Sequence, residues 1–367
     1  MAFFYVGVDV SKAKHAVAVA EGGRNGEVQY FGEIEATTAA VERFVRKLEG
    51  KHPRLHFCYE AGPTGYGLYR QLVELGHRCD VVAPSLTPKR PGERVKTNRR
   101  DAVSLARLLR AGELKEIWVP DAVHEAVRDL VRVRSAASED LRKKRQQLLS
   151  FLLRHGRVFT GHKNWTRTHA RWLAAQKFDH PAQQIVFQDQ VDVITDAQDR
   201  LERLDAQLAE LVPSWSMAPV VAAYQTLRGV SFIVAVTFVS EVGDVRRFDS
   251  PRQLMAFLGL VPSERSTGDT VKRGGLTLAG NRRARRVLIE GAWAYRYPAR
   301  VTEPIRVRLE GLPKAVREIA WRAQTALCAR YRRMMAAGKN KPIVVPAIAR
   351  EMAAFRWAIG HQVEPVR

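Results

Sequence analysis

The sequence predicts a mixed α/β domain at the N terminus, followed by a mainly α-helical remainder. Over the first 120 residues, short apolar runs of strand character alternate with stretches of helical spacing. From residue 121 onward, apolar residues recur mostly at helical spacing. With 367 residues, of which 46% are hydrophobic, the chain is long enough for two or three domains with a sizeable core.

The N-terminal elements follow one another in an order typical of one fold. In chain order, the sequence predicts a β-hairpin over 3–20, a strand near 28–31, a helix over 38–48, a strand over 55–59, a helix over 66–75, a strand over 80–83 and a helix that Thr97 opens. This βββαβαβα order is that of an RNase H-like domain, which we place at residues 1–120.

Three carboxylates and one amide lie at the ends of these elements. Asp9 is on the first strand, Glu60 ends the fourth, and Asp101 lies in the first turn of the last helix, where Asn98 shares its face. Most Asp and Glu side chains are solvated surface groups, so the prediction depends on their joint placement. Hard cations such as Mg²⁺ or Mn²⁺ take oxygen ligands. Two such ions roughly 4 Å apart stabilise the attacking and leaving oxygens of a phosphodiester. The pattern therefore indicates metal-dependent phosphodiester chemistry.

A basic segment leads into Asp101. It is interrupted by Pro91-Gly92, and its basic residues are Lys89, Arg90, Arg94, Lys96, Arg99 and Arg100. Two interpretations are open at this point. The segment is either a solvated loop or a guide that brings nucleic-acid phosphates to the acids.

Residues 121–215 are predicted to form a basic helical region, with one strongly basic helix over about 123–157 and another helix over about 183–212. The second helix has apolar residues at 4-3-4-3 spacing, namely Ala197, Leu201, Leu204, Leu208 and Leu211. It stops before Pro213. This seam predicts either an ordinary packed helix or a coiled-coil arm for self-association.

Residues 216–367 are expected to form a helical C-terminal domain. The stretch from Leu227 to Ser231, followed by an apolar run, resembles half of a helix-hairpin-helix. In that motif a glycine turn, here at Gly229, presents backbone N–H groups to a phosphate. Further along, four arginines are expected to contact phosphates: Arg282, Arg283, Arg285 and Arg286.

The charge of the chain favours a polyanionic partner. Sixty Lys and Arg against 38 Asp and Glu give a net charge of +22, and each phosphate that a protein neutralises releases condensed counterions. An anionic membrane is the competing partner, but the sequence has no run of about 20 apolar residues and no signal-peptide pattern. Three widely spaced cysteines argue against a zinc finger or a disulfide framework and fit a reducing cytoplasm. Nucleic acid is therefore the expected partner.

Five blocks of sequence carry a family resemblance. They are GVDVSK at 7–12, EAGPTGYG at 60–67, KTNRRDA at 96–102, EVGDVRRFDS at 241–250 and GLVPSERSTG at 259–268, and the match continues at 280–281 and 290–293. In this order and spacing they resemble the DEDD-type transposases of bacterial insertion sequences, a family that includes the pilin-gene invertases. The resemblance runs nearly from end to end.

The resemblance implies a RuvC-like nuclease domain, a helical coiled-coil insertion and a C-terminal transposase domain. It implies that Asp9, Glu60 and Asp101 bind Mg²⁺ or Mn²⁺. The third position of the family tetrad falls on Asn98, where the family usually has Asp. An amide oxygen still ligates a metal but brings no charge.

The family further implies a serine nucleophile in the C-terminal domain. Counting from Gly259 places it at Thr267, with Ser266 beside it. We expect Ser266, because its primary hydroxyl is less hindered, and keep Thr267 as the alternative. Either hydroxyl needs a metal or a neighbouring base to take its proton. A purely structural ST-turn before Gly268 is the competing interpretation.

The resemblance also implies partners. These are DNA at the element ends and the target, a structured guide RNA as in some family members, and further copies of the chain in a homodimer or homotetramer. The protein would then be cytoplasmic and associated with the bacterial nucleoid. Two alternatives stay open: a RuvC-like structure-specific endonuclease that uses only the N-terminal acids, and a non-catalytic nucleic-acid-binding protein whose site has decayed at Asn98.

Overall fold

The computed structural model describes residues 3–23, 26–52, 54–88 and 97–366. The chain divides into two compact units, Met1–Val119 and Pro120–Arg367. The first unit is a five-stranded sheet with helices on both faces, and the second is helical with one two-stranded hairpin.

The sheet of the first unit has the strand order β3-β2-β1-β4-β5. The elements are β1 (Phe4–Asp9), β2 (Lys14–Glu21), β3 (Val28–Glu35), α1 (Thr38–Glu49), β4 (Leu55–Glu60), α2 (Gly67–Glu74), β5 (Arg78–Val82) and α3 (Asn98–Ala111). β2 pairs antiparallel with both β1 and β3, whereas β4 runs parallel to β1 and to β5. The predicted βββαβαβα order is confirmed.

Successive side chains of β1 lie on opposite faces of the sheet. Val6 and Val8 pack with buried residues of α1 and α2. Gly7 lies against α3 instead, and a Cβ at this position would come within 2.4 Å of both Ala102 O and Ala106 N. Glycine is required here because the helix backbone lies directly on the strand.

The direction of α3 follows from two of its contacts. Near its C terminus, Arg110 donates a hydrogen bond to the carbonyl of Glu21, which pairs with the first residue of β1. Near its N terminus, Ala102 lies against Gly7, further along the same strand. Helix α3 therefore runs antiparallel to β1, and it begins toward the end of the sheet where Asp9 lies.

The second unit is built mainly from helices. They are α4 (Ala122–Arg154), α5 (Arg167–Ala174), α6 (Pro181–Leu211), α7 (Ala218–Tyr224), α8 (Phe232–Val242), α9 (Pro251–Phe257), α10 (Arg282–Ala292), α11 (Glu303–Leu309), α12 (Lys314–Ala336) and α13 (Lys341–Gly360). Its largest core is formed by apolar residues of α7 to α10, α12 and α13, and α8 is the most completely buried helix among them.

The seam predicted on α6 packs within the chain. Helices α4 and α6 run antiparallel, as the 2.7 Å ion pair between Arg134 and Asp205 and the 3.1 Å hydrogen bond from Arg145 to Gln198 show. Ala197 belongs to a buried cluster that both helices share. Leu201 packs against the same cluster and Leu208 lies in the largest core, whereas Leu211 is 52% exposed. Self-association through α6 stays a prediction.

One element of the second unit was not predicted. Strands β6 (Pro262–Thr267) and β7 (Thr270–Leu276) form an antiparallel hairpin. The C-terminal region is otherwise helical, as expected. All residues from 263 to 275 are exposed. The hairpin buries no apolar face, and its sequence therefore carries no alternating pattern. Ser266 and Thr267 lie in β6 rather than in an ST-turn.

Candidate active site and nucleic-acid surface

Asp9 and Glu60 are the last residues of two adjacent parallel strands. Val8 of β1 pairs with Tyr59 of β4, so the acids that follow lie level with one another, roughly 5 Å apart between their Cα atoms. They share the face that α3 covers, because Cys58, on the same face as Glu60, contacts a backbone carbonyl of α3 at 3.6 Å. The two acids thus lie side by side at one end of the sheet.

The first turn of α3 supplies the other two predicted ligands. Thr97 caps this helix by accepting a hydrogen bond from the backbone N–H of Arg100 at 3.3 Å, which fixes where the helix begins and places Asn98 and Asp101 in its first turn. A carboxylate is favourable there because the N terminus of a helix carries partial positive charge. Since α3 begins toward Asp9, the fold brings the four predicted ligands to the same end of the sheet.

The chemistry of this group fits Mg²⁺ or Mn²⁺, which bind carboxylate and amide oxygens. The three carboxylates are half-buried and Asn98 is exposed. Among the residues that the structure describes, no three His, Cys, Asp or Glu side chains form a group that could hold a metal ion. The metal site therefore stays a prediction, supported by ligand type and by placement on the fold.

Ser266 lies near the tip of the hairpin and has a carboxylate partner. Its hydroxyl donates to Glu264 Oε1 at 2.8 Å, and Arg273 of β7 donates to Glu264 Oε2 at 3.4 Å. These two hydrogen bonds, that from Ser266 first, lower the pKa of Glu264. Thr267 lies on the other face of the strand, and no hydrogen bond from its hydroxyl occurs within the described ranges. Sequence reasoning missed Glu264, although its spacing of two residues from Ser266 identifies it once the segment is known to be a strand.

The predicted arginine cluster is divided by the structure. Three of its members are exposed on α10: Arg282, Arg283 and Arg286. Arg285 is only 8% exposed, and its guanidinium donates to the carbonyls of Leu258 at 2.9 Å and Ala279 at 3.1 Å. Arg285 therefore holds together the backbone on either side of the hairpin. Its predicted role in phosphate contact is wrong, because the side chain does not reach the surface.

A buried carboxylate lies beneath the start of α10. Glu241 of α8 accepts two hydrogen bonds from Arg132 of α4, at 2.8 and 2.9 Å, and one from Asn281 Nδ2 at 2.7 Å. The Asn281 Oδ1 atom in turn accepts from the backbone N–H groups of Arg283 and Ala284 and caps α10. The sequence marked Glu241 only as part of a family block, and the structure gives it a role in joining three helices.

Gly229 lies in the turn between α7 and α8, where the predicted half of a helix-hairpin-helix places it. Its φ is +76°, and a Cβ there would meet Gly291 O at 2.2 Å. Glycine is therefore needed both for the left-handed turn and for close approach to α10. Its contact with phosphate stays a prediction.

Most of the predicted phosphate-guiding segment lies outside the described residues, namely Lys89, Arg90, Arg94 and Lys96. Arg99 and Arg100 are described, and both are exposed in the first turn of α3. The Arg99 guanidinium lies 5.2 Å from the centre of the Tyr30 ring. These two arginines therefore place positive charge beside the predicted metal ligands.

Comparison with known proteins identifies the family. Residues 6–156 match the DEDD transposase model of the IS110 type, and residues 222–303 match the model described as Transposase IS116/IS110/IS902 family. The chain is 57% identical to a putative transposase of Sinorhizobium fredii over 358 residues, which cover 98% of this chain and 88% of the relative. The chain belongs to the IS110/IS116 transposase family.

A second relative of this transposase extends the match. The transposase for insertion sequence element IS1533 of Leptospira borgpetersenii is 31% identical over 339 residues, which cover 90% of this chain and 96% of the relative. The resemblance drawn from the five sequence blocks is confirmed. The two matched regions contain Asp9, Glu60 and Asp101, and the hairpin that carries Ser266. Across the described residues, no helix of the transposase is long and apolar enough to span a bilayer.

Proposed function

We propose that this transposase moves its insertion sequence by using two chemical sites. One is a carboxylate site for Mg²⁺ or Mn²⁺ in the first unit, which we assign to the RNase H-like, RuvC-like fold. The other is the hydroxyl of Ser266 in the second unit. The observation that carries the proposal is the convergence of Asp9, Glu60 and the first turn of α3 at one end of the sheet.

The carboxylate site would work through the charges of its own residues. Asp9, Glu60 and Asp101 would supply anionic ligands, and Asn98 a neutral one. A divalent cation bound there would stabilise the negative charge that develops on the phosphodiester oxygens. Exposed Arg99 and Arg100, beside the same acids, would hold the adjacent phosphates in place.

The proposed role of Ser266 is a transesterification. Its Oγ forms a bond to phosphorus while one bond from phosphorus to a deoxyribose oxygen breaks. The Oγ proton passes to Glu264, and the released deoxyribose oxygen takes a proton from solvent water to become a hydroxyl. The DNA strand is then joined to the protein through a phosphoserine ester, and attack by another deoxyribose hydroxyl reverses these changes and frees Ser266.

The hydrogen bond to Glu264 favours Ser266 over Thr267. A serine hydroxyl is a weak nucleophile until a base takes its proton, and Glu264 Oε1 lies 2.8 Å from Ser266 Oγ. Thr267 remains the alternative nucleophile.

The exposed arginines of α10 support DNA as the substrate. Arg282, Arg283 and Arg286 add to the excess of positive charge, +22 over the chain, so phosphate contacts would supply much of the affinity. The same charge suits a structured guide RNA. We also propose a homodimer or homotetramer as the working form, whose mass can be measured in solution with and without DNA.

Capture of the covalent intermediate tests the proposal. The protein is incubated with element-end DNA and Mg²⁺ or Mn²⁺, and denaturing electrophoresis then shows whether protein and DNA are joined. We expect an adduct that Ser266→Ala abolishes and Thr267→Ala retains. Asp9→Ala, Glu60→Ala and Asp101→Ala should each abolish recombination while the unfolding midpoint stays near that of the parent. Recombination near normal in two of these three variants would refute the metal site.

Other outcomes of the same experiment identify the alternatives. Loss of the adduct in Thr267→Ala alone, with Thr267→Ser active, would make Thr267 the nucleophile. Metal-dependent hydrolysis without any adduct would indicate a structure-specific endonuclease. Binding without cleavage under either metal would indicate a non-catalytic nucleic-acid-binding protein.

A further inference from the structure

An apolar groove lies beside the base of the hairpin that carries Ser266. Its volume is about 850 Å³, and its lining includes Met255 of α9, Leu276 of β7, and Ile343 and Pro346 of α13. Ile343 is 57% exposed, although it is a large apolar residue near the start of a helix. This volume is within the range of about 300–1,000 Å³ that is typical of ligand-binding sites.

Positive charge surrounds this apolar groove. Three arginines line it, Arg252, Arg330 and Arg350, against one acid, Glu351. Arg330 is already paired with Glu351 at 2.9 Å. Over the described ranges, Arg252 and Arg350 have no ion-pair partner, so the lining carries a surplus of two positive charges.

The combination of an apolar floor and unpaired guanidinium groups selects the ligand class. A nucleotide has a flat apolar base and an anionic phosphate, so it matches both features at once. In a double helix the faces of the bases are stacked and inaccessible, whereas an unpaired nucleotide can place its base on an apolar surface. An apolar peptide segment would use the floor but would leave the two arginines without a counter-charge.

The position of the groove connects it to the hairpin. Pro262 and Leu276 pair at the base of the hairpin, and both line the groove. Ser266 lies four residues further along β6, roughly 13 Å away at the rise of a β-strand. A single DNA strand of a few nucleotides covers this distance, so a strand seated in the groove can extend along the hairpin to Ser266.

We propose that this groove binds an unpaired nucleotide of the DNA substrate, with its base against Ile343 and its phosphates on Arg252 and Arg350. The inference rests on the proposed function only in taking DNA as the substrate. It does not depend on which hydroxyl attacks. The transposase would thereby hold one nucleotide out of the duplex while the adjacent strand follows the hairpin.

The test compares the affinity for a single-stranded oligonucleotide with the affinity for the same sequence as a duplex. In the Arg252→Gln/Arg350→Gln double variant, the slope of log K against log salt for the single strand should become shallower by about 1.4, because two phosphate contacts are lost. The duplex slope should change no more than in the control Arg200→Gln/Arg203→Gln, which removes two exposed arginines of α6. Equal changes for single strand and duplex would overturn the proposal.

A second variant tests the apolar floor. Ile343→Asp should weaken single-strand binding by about fivefold, since base packing is lost. It should also abolish the fluorescence change of a 2-aminopurine placed in the oligonucleotide. Unchanged fluorescence and affinity would overturn the proposal. Because Ile343 is exposed, its replacement should leave the fold intact.

Adduct formation is measured separately, so evidence against nucleotide binding in the groove leaves the Ser266 assignment unaffected. Conversely, single-strand binding that depends on the groove can persist when no adduct forms.

Discussion

Glu241 offers the sharpest test of how the second unit is held together. Its side chain is 1% exposed and accepts hydrogen bonds from Arg132 on α4 and from Asn281 before α10. Burial alone would raise the pKa of Glu241, but the hydrogen bonds from Arg132 and Asn281 outweigh burial and the pKa is lowered. The carboxylate is therefore ionised in the folded protein, and both of its oxygens accept hydrogen bonds.

The cost of removing it can be worked out from these contacts. Breaking a buried ion pair by deleting one partner costs about 3–5 kcal/mol. The Arg132 side chain is 37% exposed, so water recovers part of this loss, and we expect Glu241→Ala to lower the free energy of unfolding by about 3 kcal/mol. Glu241→Gln keeps the volume and one acceptor but directs an NH₂ group at a donor of Arg132 or Asn281. It should cost about 2 kcal/mol.

Urea unfolding followed by tryptophan fluorescence measures these changes in the free energy of unfolding. The signal comes mainly from the second unit, which contains Glu241. Trp118 is the only one of the seven tryptophans in the first unit. Because the folded-state pKa of Glu241 is lowered, its contribution is fully present above the unfolded-state pKa, about 4.3. It is lost as the pH falls through the lower folded-state value. The parent should therefore lose more stability than Glu241→Gln on acidification below that range.

A matched control separates this network from any surface carboxylate. Glu318 is exposed and forms an ion pair with Lys314, four residues earlier on α12. Glu318→Ala should leave the unfolding midpoint unchanged. Two results would refute the reasoning. One is a loss of less than about 0.5 kcal/mol in the free energy of unfolding of Glu241→Ala. The other is acid unfolding of Glu241→Gln that is identical to that of the parent.

Three further predictions follow from contacts in the two units. Gly7→Ala places a methyl group into the backbone of α3 and should lower the free energy of unfolding by about 1–3 kcal/mol in a denaturant titration; an unchanged midpoint would contradict the close packing. Arg285→Met should destabilise the protein yet leave the slope of log K against log salt for duplex binding unchanged. The exposed Arg283→Gln should flatten that slope by about 0.9. The reverse pattern would make Arg285 a phosphate contact after all. Glu264→Gln should slow formation of the Ser266 adduct by about 100-fold with DNA affinity retained, and an unaltered rate would exclude Glu264 as the proton acceptor.

The sequence predicted the first unit well because its signals are local. The strands of the sheet bury apolar residues, so they leave short apolar runs, and the helices between them leave helical spacing. Asp9 and Glu60 could be placed at strand ends because each directly follows one of these apolar runs. What the sequence does not reveal is the direction of α3, because that depends on the contact of Gly7 with Ala102, residues far apart in the chain.

Two features of the second unit could not be predicted from the sequence, namely the exposed hairpin and the inward position of Arg285. The hairpin from Pro262 to Leu276 is exposed along almost its whole length, so no apolar alternation marks it as β-structure. Arg285 looked like its neighbours in a run of positive charge. Its position one turn before buried Leu288 was the signal that it faces inward, and only the two loop carbonyls show why a charge is tolerated there.

On the proposed function, Arg273 affects Glu264 differently before and after DNA binds. In the free protein the hydrogen bonds from Ser266 and Arg273 lower the pKa of Glu264, and a carboxylate with a low pKa accepts a proton poorly. A DNA phosphate competes for Arg273, because a guanidinium bonds phosphate strongly and often through two N–H groups at once. When Arg273 turns to the phosphate, Glu264 loses a donor, its pKa rises, and it takes the Ser266 proton more readily. Release of Arg273 to a bound phosphate would therefore favour transfer of the Ser266 proton to Glu264.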